Sequence, residues 1–259
     1  MVIYPVLADH SCPFCLAGEQ ELCDHFRILG GPDDGTYAEY LAIPAINLYP
    51  KPARLSWQEA AAFPLTALTA YRLVMDRAGP RAGETVLIHG IGGAVAIFSL
   101  QLAKLAGATT FVTSSSDEKL RRAAAMGAAV LINYRQSDVL AEVRRLTGGR
   151  GVDLAIDTVG AATWGLSLQA VRQGGRVALC GATTGALAET NLRQVFWNHI
   201  TIVGSTMGSQ SEFAKVVNLV ASGALVPVID SVLPLAEAAQ AQRRLEEQTQ
   251  FGKIVLAVG

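Results

Sequence analysis

The chain has 259 residues, with 21 Lys and Arg against 22 Asp and Glu and a formal net charge of -1. That balance excludes a nucleic-acid binder that works by neutralising phosphates. A hydrophobic fraction of 51% with only 17% charged residues, against about 25% charged in an average globular chain, excludes disorder and predicts a large core in one large domain or two modest ones.

The N-terminal stretch Met1 to Asp9 lacks the basic start and cleavage pattern of a secretory signal. Cys12, Cys15 and Cys23 follow closely, at a spacing that suits a metal better than a disulfide framework and fits a cytoplasmic protein. Ser56-Trp-Gln-Glu59 reads as a capping box opening a short Ala-rich helix that stops at Pro64, and Leu65 to Asp76 reads as another helix. The segment Thr85 to Ala103 carries no Asp, Glu, Lys or Arg, but it contains His89, Gly90, Gly92, Gly93, Ser99 and Gln101 and changes period midway. It predicts a buried strand, a glycine loop and a buried helix, and no membrane span.

From Leu55 onward, short β-branched runs alternate with helical patterns, the signature of a parallel sheet covered by helices. Strands are predicted at Thr85–His89, Thr109–Thr113, Val130–Ile132, Val152–Ile156, Arg176–Cys180 and Ile200–Ser205. Helices are predicted at Ala94–Leu105, at Asp117–Met126 capped by Ser116, at Asp138–Thr147 capped by Ser137, and near Ala162–Val171 before a turn at Gly174-Gly175. Cys180 stands alone in an apolar run and reads as a small buried hydrophobe. After about Thr206 come a helix from Ser211 to Ala221, a strand near Val226–Val232, a helix from Ala236 to Glu247 and a strand Ile254–Ala257, a return to another domain.

The strand, glycine run and helix in Thr85-Val-Leu-Ile-His-Gly90-Ile-Gly-Gly93-Ala-Val-Ala96 form the context that a dinucleotide-binding loop needs. Glycine admits a pyrophosphate close to the backbone, and the N–H groups and positive end of the helix bind it. At the end of the next strand, where an acid would bond a ribose 2′-hydroxyl and repel a 2′-phosphate, stands Ser114. Hydroxyls with the Lys119 ammonium suit a 2′-phosphate and so NADPH. The competing reading makes the serines caps and Lys119 a solvated helix residue.

Gly35-Thr-Tyr-Ala-Glu-Tyr40, Ala60-Ala-Ala-Phe-Pro64-Leu-Thr-Ala-Leu-Thr69-Ala-Tyr71, the glycine loop, Ile132-Asn-Tyr134 and Phe251-Gly-Lys-Ile-Val-Leu256 together resemble the medium-chain dehydrogenase/reductase superfamily, in its quinone-reductase-like branch, along essentially the whole chain. The resemblance implies an α/β fold: a Rossmann-type doubly wound parallel sheet plus a truncated GroES-like β-barrel domain. It divides the chain into a catalytic-domain remnant with a zinc lobe at 1–64, a coenzyme domain at 65–205 and a return to the catalytic domain at 206–259. It implies Ser114, Lys119 and Tyr134 around the adenosine 2′-phosphate, Gly90, Gly93, Ala94 and Val95 at the pyrophosphate, and Thr69 and Gly181 at the nicotinamide. The family usually reads Gly-Gly-Val-Gly where this chain has Gly93-Ala94-Val95-Ala96, so two methyl groups either tighten the helix or crowd the cofactor. Its structural zinc has four cysteines, matched here by Asp9, Cys12, Cys15 and Cys23, with His10 a less well spaced substitute for Asp9; Asp is an acceptable zinc ligand.

The activity implied is hydride transfer from NADPH to a small-molecule quinone, enoyl or carbonyl substrate, in a homodimer built through the coenzyme domain. None of His10, His25, His89 and His199 stands out as a proton donor, and Tyr40 and Tyr71 read as core before cleft. A zinc-dependent alcohol dehydrogenase is the second reading, opposed by Leu65 in place of a catalytic-zinc cysteine. The third is a nucleotide-binding remnant or a misassigned start codon, because Met1 aligns inside the family's first domain; it predicts exposed apolar surface on residues 1–50.

Overall fold

The computed structural model describes all residues, Met1–Gly259. They form two compact units, Met1–Thr69 with Thr206–Gly259, and Ala70–Ser205.

The first unit begins with four two-residue strands, β1 (Val2–Ile3), β2 (Val6–Leu7), β3 (Arg27–Ile28) and β4 (Leu48–Tyr49). They pair antiparallel as β1 with β4 and β2 with β3. Three helices accompany them: α1 (Pro13–Leu16), α2 (Trp57–Ala62) and α3 (Pro64–Tyr71). The Ser56 hydroxyl accepts the Glu59 N–H and the Glu59 carboxylate accepts the Ser56 N–H, so α2 starts at a closed capping box. Pro64 opens α3 as well as closing α2, because proline needs no N–H in a first helical turn. Beyond α3 the chain continues through a π-helical segment, Arg72–Ala78, ended by Gly79 in the left-handed conformation, so the expected stop at Asp76 falls two residues short.

The second unit is built on six strands: β5 (Thr85–Ile88), β6 (Thr109–Ser114), β7 (Val130–Asn133), β8 (Val152–Asp157), β9 (Val171–Leu179) and β10 (Thr201–Gly204). All run parallel in the order β10-β9-β8-β5-β6-β7. The connecting helices are α4 (Ala94–Leu105), α5 (Asp117–Ala125), α6 (Val139–Leu146), α7 (Ala161–Ala170) and α8 (Leu192–Trp197). A doubly wound sheet reverses its winding between β5 and β8, and ligands bind such sheets at the carboxyl ends of the strands at that point. The core beneath is mostly aliphatic, with Leu87, Ile132, Val143 and Val177 buried around Phe111; each such side chain contributes roughly 1.5–3 kcal/mol relative to exposure.

Two local expectations differ from the structure, and one element was not expected. Asp138, and not Ser137, caps α6, its carboxylate accepting the Ala141 N–H at 2.9 Å. Gly174-Gly175 is no turn between elements but lies inside β9, where the register to β8 slips between Val152 and Leu154; an extra length of backbone in one strand is a bulge, which glycine accommodates. Helix α8, capped by Asn191, has no counterpart among the predicted elements.

The chain then returns to the first unit with α9 (Gln210–Ser222), β11 (Ile229–Pro234), α10 (Ala238–Glu246) and β12 (Lys253–Ala257), β11 pairing parallel with β12. Its core is aromatic. Phe213 packs edge-on to Tyr49 at 4.9 Å and also meets Tyr4 and Phe63. The Tyr4 hydroxyl donates to the Gly208 carbonyl at 2.7 Å, and Asn47 Nδ2 donates to the carbonyls of Tyr4 and Val6. The strands of this unit make three separate two-stranded sheets. Between Gly30 and Pro44 there is neither helix nor strand, and Tyr40, expected in the core, is 90% exposed. Phe14, Leu16, Leu22, Tyr37 and Ile46 are exposed too.

Candidate functional site

In the second unit the buried strand β5 ends at Ile88 and the chain turns through His89 and Gly90 to α4. Gly90 has φ 66°, in the left-handed region, and a Cβ there would lie 3.0 Å from Val159 Cγ2. The loop is tied down by hydrogen bonds from Ile91 N–H to the Thr113 carbonyl at 2.9 Å and from Gly93 N–H to the Gly90 carbonyl at 3.2 Å. Gly93 occupies the N-cap of α4 without a side chain to cap the helix. The N–H groups of Ala94, Val95 and Ala96 therefore have no acceptor in the protein, and the positive end of a twelve-residue helix adds to them. This donor set fits a pyrophosphate. The two methyl groups divide: Ala96 is fully buried in the helix packing, while Ala94 is half-buried on the first turn.

The strands either side of β5 supply the rest of the rim. At the end of β6, Ser114 is buried and its Oγ accepts the Ser116 N–H at 3.1 Å. Tyr134, just past β7, donates its N–H to the Ser114 carbonyl at 3.1 Å and is 53% exposed. Lys119 sits half-buried in the first turn of α5, its N–H directed at Ser116 Oγ. Ser114, Lys119 and Tyr134 thus come together around the ends of β6 and β7. Beside them Asp117 is held by Asn133 and Gln136, whose amides keep its carboxyl below the usual carboxylate range.

Two further residues at these strand ends were not singled out from sequence, because only the topology brings them to the switch point. Asp157, fully buried at the end of β8, accepts from Val159 N–H, Gly160 N–H, Thr163 Oγ1 and Ser167 Oγ at 2.7 to 3.0 Å and so fixes the start of α7. Thr113, on β6, reaches across to the glycine loop. Gly181, following β9, is crowded by the Thr158 carbonyl 2.7 Å from its would-be Cβ. Cys180 is half-buried, and burial pushes its thiol up to about 12, which makes it inert.

Thr69 belongs to the first unit. It is buried, donates to the Leu65 carbonyl at 2.9 Å and lies 3.7 Å from Met207 Sδ. Leu65 is 41% exposed on α3 and offers no ligand atom.

The cysteine lobe, also in the first unit, is compact. The ligand atoms of Asp9, Cys12, Cys15 and Cys23 all lie within 4.8 Å of one another. Cys12 caps the one-turn helix α1 that carries Cys15, so the turn itself sets two of the donors side by side. Cys15 N–H points at Cys12 Sγ, and Asp9 and His25 N–H groups point at Cys23 Sγ, at 3.3 to 3.5 Å. Asp9 Oδ1 accepts the N–H groups of Ser11 and Cys12, and those two bonds hold its carboxyl far below the usual range. Three thiols surrounded by N–H donors and one ionised carboxylate fit a tetrahedral zinc. His10, with φ 58°, is not among the four, and His25 Nε2 stands 3.9 Å from Asp9 Oδ2.

No helix is long and apolar enough to cross a membrane. A family model described as a zinc-binding dehydrogenase matches residues 94–222. The chain is 33% identical over 258 residues to an NAD-dependent alcohol dehydrogenase of Saccharolobus solfataricus, covering 99% of this chain and 74% of that protein. It is 30% identical to a crotonyl-CoA reductase of Streptomyces avermitilis, covering 96% of this chain and 63% of the other. Among solved structures, one of an NAD-dependent alcohol dehydrogenase is 46% identical, with TM-score 0.95 over 99% of this chain and 75% of that one. The 2-octenoyl-CoA carboxylase reductase CinF, solved with NADP and 2-octenoyl-CoA, is 33% identical, with TM-score 0.90 over 98% of this chain and 62% of that one.

Proposed function

The chain belongs to the medium-chain dehydrogenase/reductase superfamily and is an NAD(P)-dependent oxidoreductase of that type, and we propose that it uses NADPH to reduce an electron-poor double bond or carbonyl, an enoyl thioester, a quinone or an aldehyde. The observation that carries the cofactor choice is the end of β6: a buried Ser114 hydroxyl where a carboxylate would select against a 2′-phosphate, with Lys119 and the exposed Tyr134 beside it. The acceptor class is supported by the crotonyl-CoA reductase relative and the CinF complex, and by Leu65, which supplies no metal ligand on α3.

The nicotinamide, when bound, supplies the hydride. What the chain's own residues do is bind and orient. The amides of Ala94, Val95 and Ala96 take the pyrophosphate, Ser114, Lys119 and Tyr134 take the 2′-phosphate, and within the same unit Gly181 serves the nicotinamide end. Asp9, Cys12, Cys15 and Cys23 hold a structural zinc that ties the loop around α1 and does no chemistry.

The second reading, a zinc-dependent alcohol dehydrogenase, is favoured by the names of the archaeal relative and of the 46% identical structure. One experiment separates them. NADPH and NADH are titrated against the protein, and oxidation of the reduced cofactor is followed over enoyl thioesters, quinones and aldehydes. Tighter NADPH binding, selectively weakened about tenfold in Lys119→Glu, is the expected result. Equal or tighter NADH binding overturns the cofactor choice, and turnover of alcohols that stops on chelation overturns the acceptor class.

A further inference from the structure

A hydrogen-bond chain joins the ends of β5 and β6 just below the glycine loop. The Gly90 N–H donates to Thr113 Oγ1 at 3.3 Å, and the same oxygen lies 3.3 Å from His89 Nδ1. Both side chains are interior, His89 being 1% exposed. A hydroxyl oxygen that accepts from Gly90 still has its own proton to give, and a neutral imidazole accepts on its unprotonated nitrogen. The Thr113 hydroxyl meets no other acceptor, so the arrangement that leaves fewest polar groups unpaired runs from Gly90 N–H to Thr113 Oγ1 and from Thr113 O–H to His89 Nδ1. That direction places the imidazole proton on Nε2, which is buried and has no hydrogen-bond partner in the protein. Burial supports the neutral form, pushing the ring's pKa down to about 4 against the opposing charge of Asp157.

The chain acts on Gly90, one of two loop glycines with a positive φ. Gly90, at φ 66°, has its N–H held by Thr113 Oγ1, and its carbonyl accepts the N–H of Gly93, the N-cap of α4. The Thr113 main chain takes the next N–H, that of Ile91. A leucine would fill the interior at position 89 without leaving an unpaired N–H behind, so packing alone does not account for the imidazole.

We propose that His89 is a positioning residue of the phosphate loop: through the Thr113 hydroxyl it fixes Gly90, and through Gly90 the N-cap from which the amides of Ala94, Val95 and Ala96 are presented to the cofactor. This rests on the reading of residues 90 to 96 as a dinucleotide loop. The test measures NADPH affinity and thermal midpoint together for the wild-type protein and for His89→Asn, His89→Gln, His89→Leu, Thr113→Val and the Leu/Val double variant. Asparagine keeps an acceptor near the place of Nδ1, and glutamine keeps a polar atom only near that of Nε2. His89→Asn is expected to bind NADPH within about threefold of wild type, while His89→Gln, His89→Leu and Thr113→Val each bind about tenfold more weakly, and the double variant no more weakly than either parent. Nitrogen-15 spectra of the wild-type imidazole are expected to show the Nε2–H tautomer. The role is overturned if the wild type binds NADPH and His89→Leu, or Thr113→Val where the leucine variant does not fold, binds it equally well, or if the proton sits on Nδ1. Failure of the wild type to bind either NADPH or NADH overturns the dinucleotide reading itself, and the role with it.

Discussion

Asn133 Nδ2 donates to Asp117 Oδ1 at 2.6 Å, and Gln136 Nε2 donates to the other carboxylate oxygen at 3.0 Å. The two amides fix a negative charge at the first turn of α5, where it complements the helix dipole. On the NADPH proposal, the same charge would oppose a 2′-phosphate held by Ser114, Lys119 and Tyr134. Asp117→Asn removes it at nearly constant shape. The ratio of NADH to NADPH dissociation constants is expected to rise about three- to tenfold at low ionic strength and to fall back in high salt. A ratio that does not move would place the adenosine ribose away from α5.

His89 makes the fold sensitive to acid. Its folded pKa is about 4 against an ordinary value of 6.5. Between those two values the unfolded chain binds a proton that the folded chain refuses, so stability falls as pH drops from 6.5 towards 4 and is unaffected by this group above 6.5. The full loss is on the order of 3 kcal/mol. Asp153 adds a loss of its own only as pH nears the ordinary carboxylate range, because the unfolded chain then binds a proton that the folded carboxylate refuses, and it does so equally in the wild type and in His89→Asn. Arg172, Arg150 and Thr85 bond its carboxylate and keep it ionised well below pH 4. Denaturant midpoints measured from pH 7 to pH 4 are expected to fall more steeply for the wild type than for His89→Asn. Parallel curves would show that the imidazole does not titrate as its burial dictates.

How much of this was legible in the residues depends on whether a signal was local. Helix α4 was readable to both ends, because an apolar helical pattern between glycines has few alternatives. Ser114 and Lys119 were singled out from the expected end of β6, whereas Tyr134 entered only through the family resemblance. The cap of α6 was misplaced by one residue, since Ser137 and Asp138 are both good caps and only backbone geometry chooses Asp138. Helix α8 was missed because its exposed Leu192, Phe196 and Trp197 give it no apolar side buried against a polar one. Tyr40 was misjudged for the converse reason. Its neighbourhood is apolar, but residues 30–44 form neither helix nor strand in this structure, and what covers a segment is not written in its own composition.

The lobe around α1 predicts a metal dependence without a catalytic role. The purified protein is expected to retain about one zinc per chain, with Asp9 as the oxygen ligand. Chelation should lower the thermal midpoint while leaving NADPH affinity unchanged. Asp9→Cys should hold the ion against dialysis better than the wild type, and Asp9→Ala about tenfold less well or worse. Elemental analysis after dialysis decides it. A wild-type protein free of zinc, with a midpoint indifferent to chelator, would show that the three cysteines are simply reduced thiols.

We propose that the second unit supports a homodimer through β10. This strand is the last in the sheet and pairs only with β9, so one row of its N–H and C=O groups has no strand beside it. An open edge is a template for another strand. Beside it, Leu192, Phe196 and Trp197 are exposed, Trp197 by 67%, and Ile202 projects from the strand itself. Two copies related by a twofold axis would pair β10 with β10 antiparallel, and each would bury these side chains against the other. Ile202→Lys puts a charge at that seam twice over, because a twofold axis duplicates every substitution. Sedimentation is expected to give a dimer for the wild type and a monomer for Ile202→Lys at the same micromolar concentration. NADPH affinity should be unchanged in the variant, since the glycine loop follows β5, three strands in from this edge. A wild-type monomer, or a dimer indifferent to the lysine, would exclude β10 as the contact.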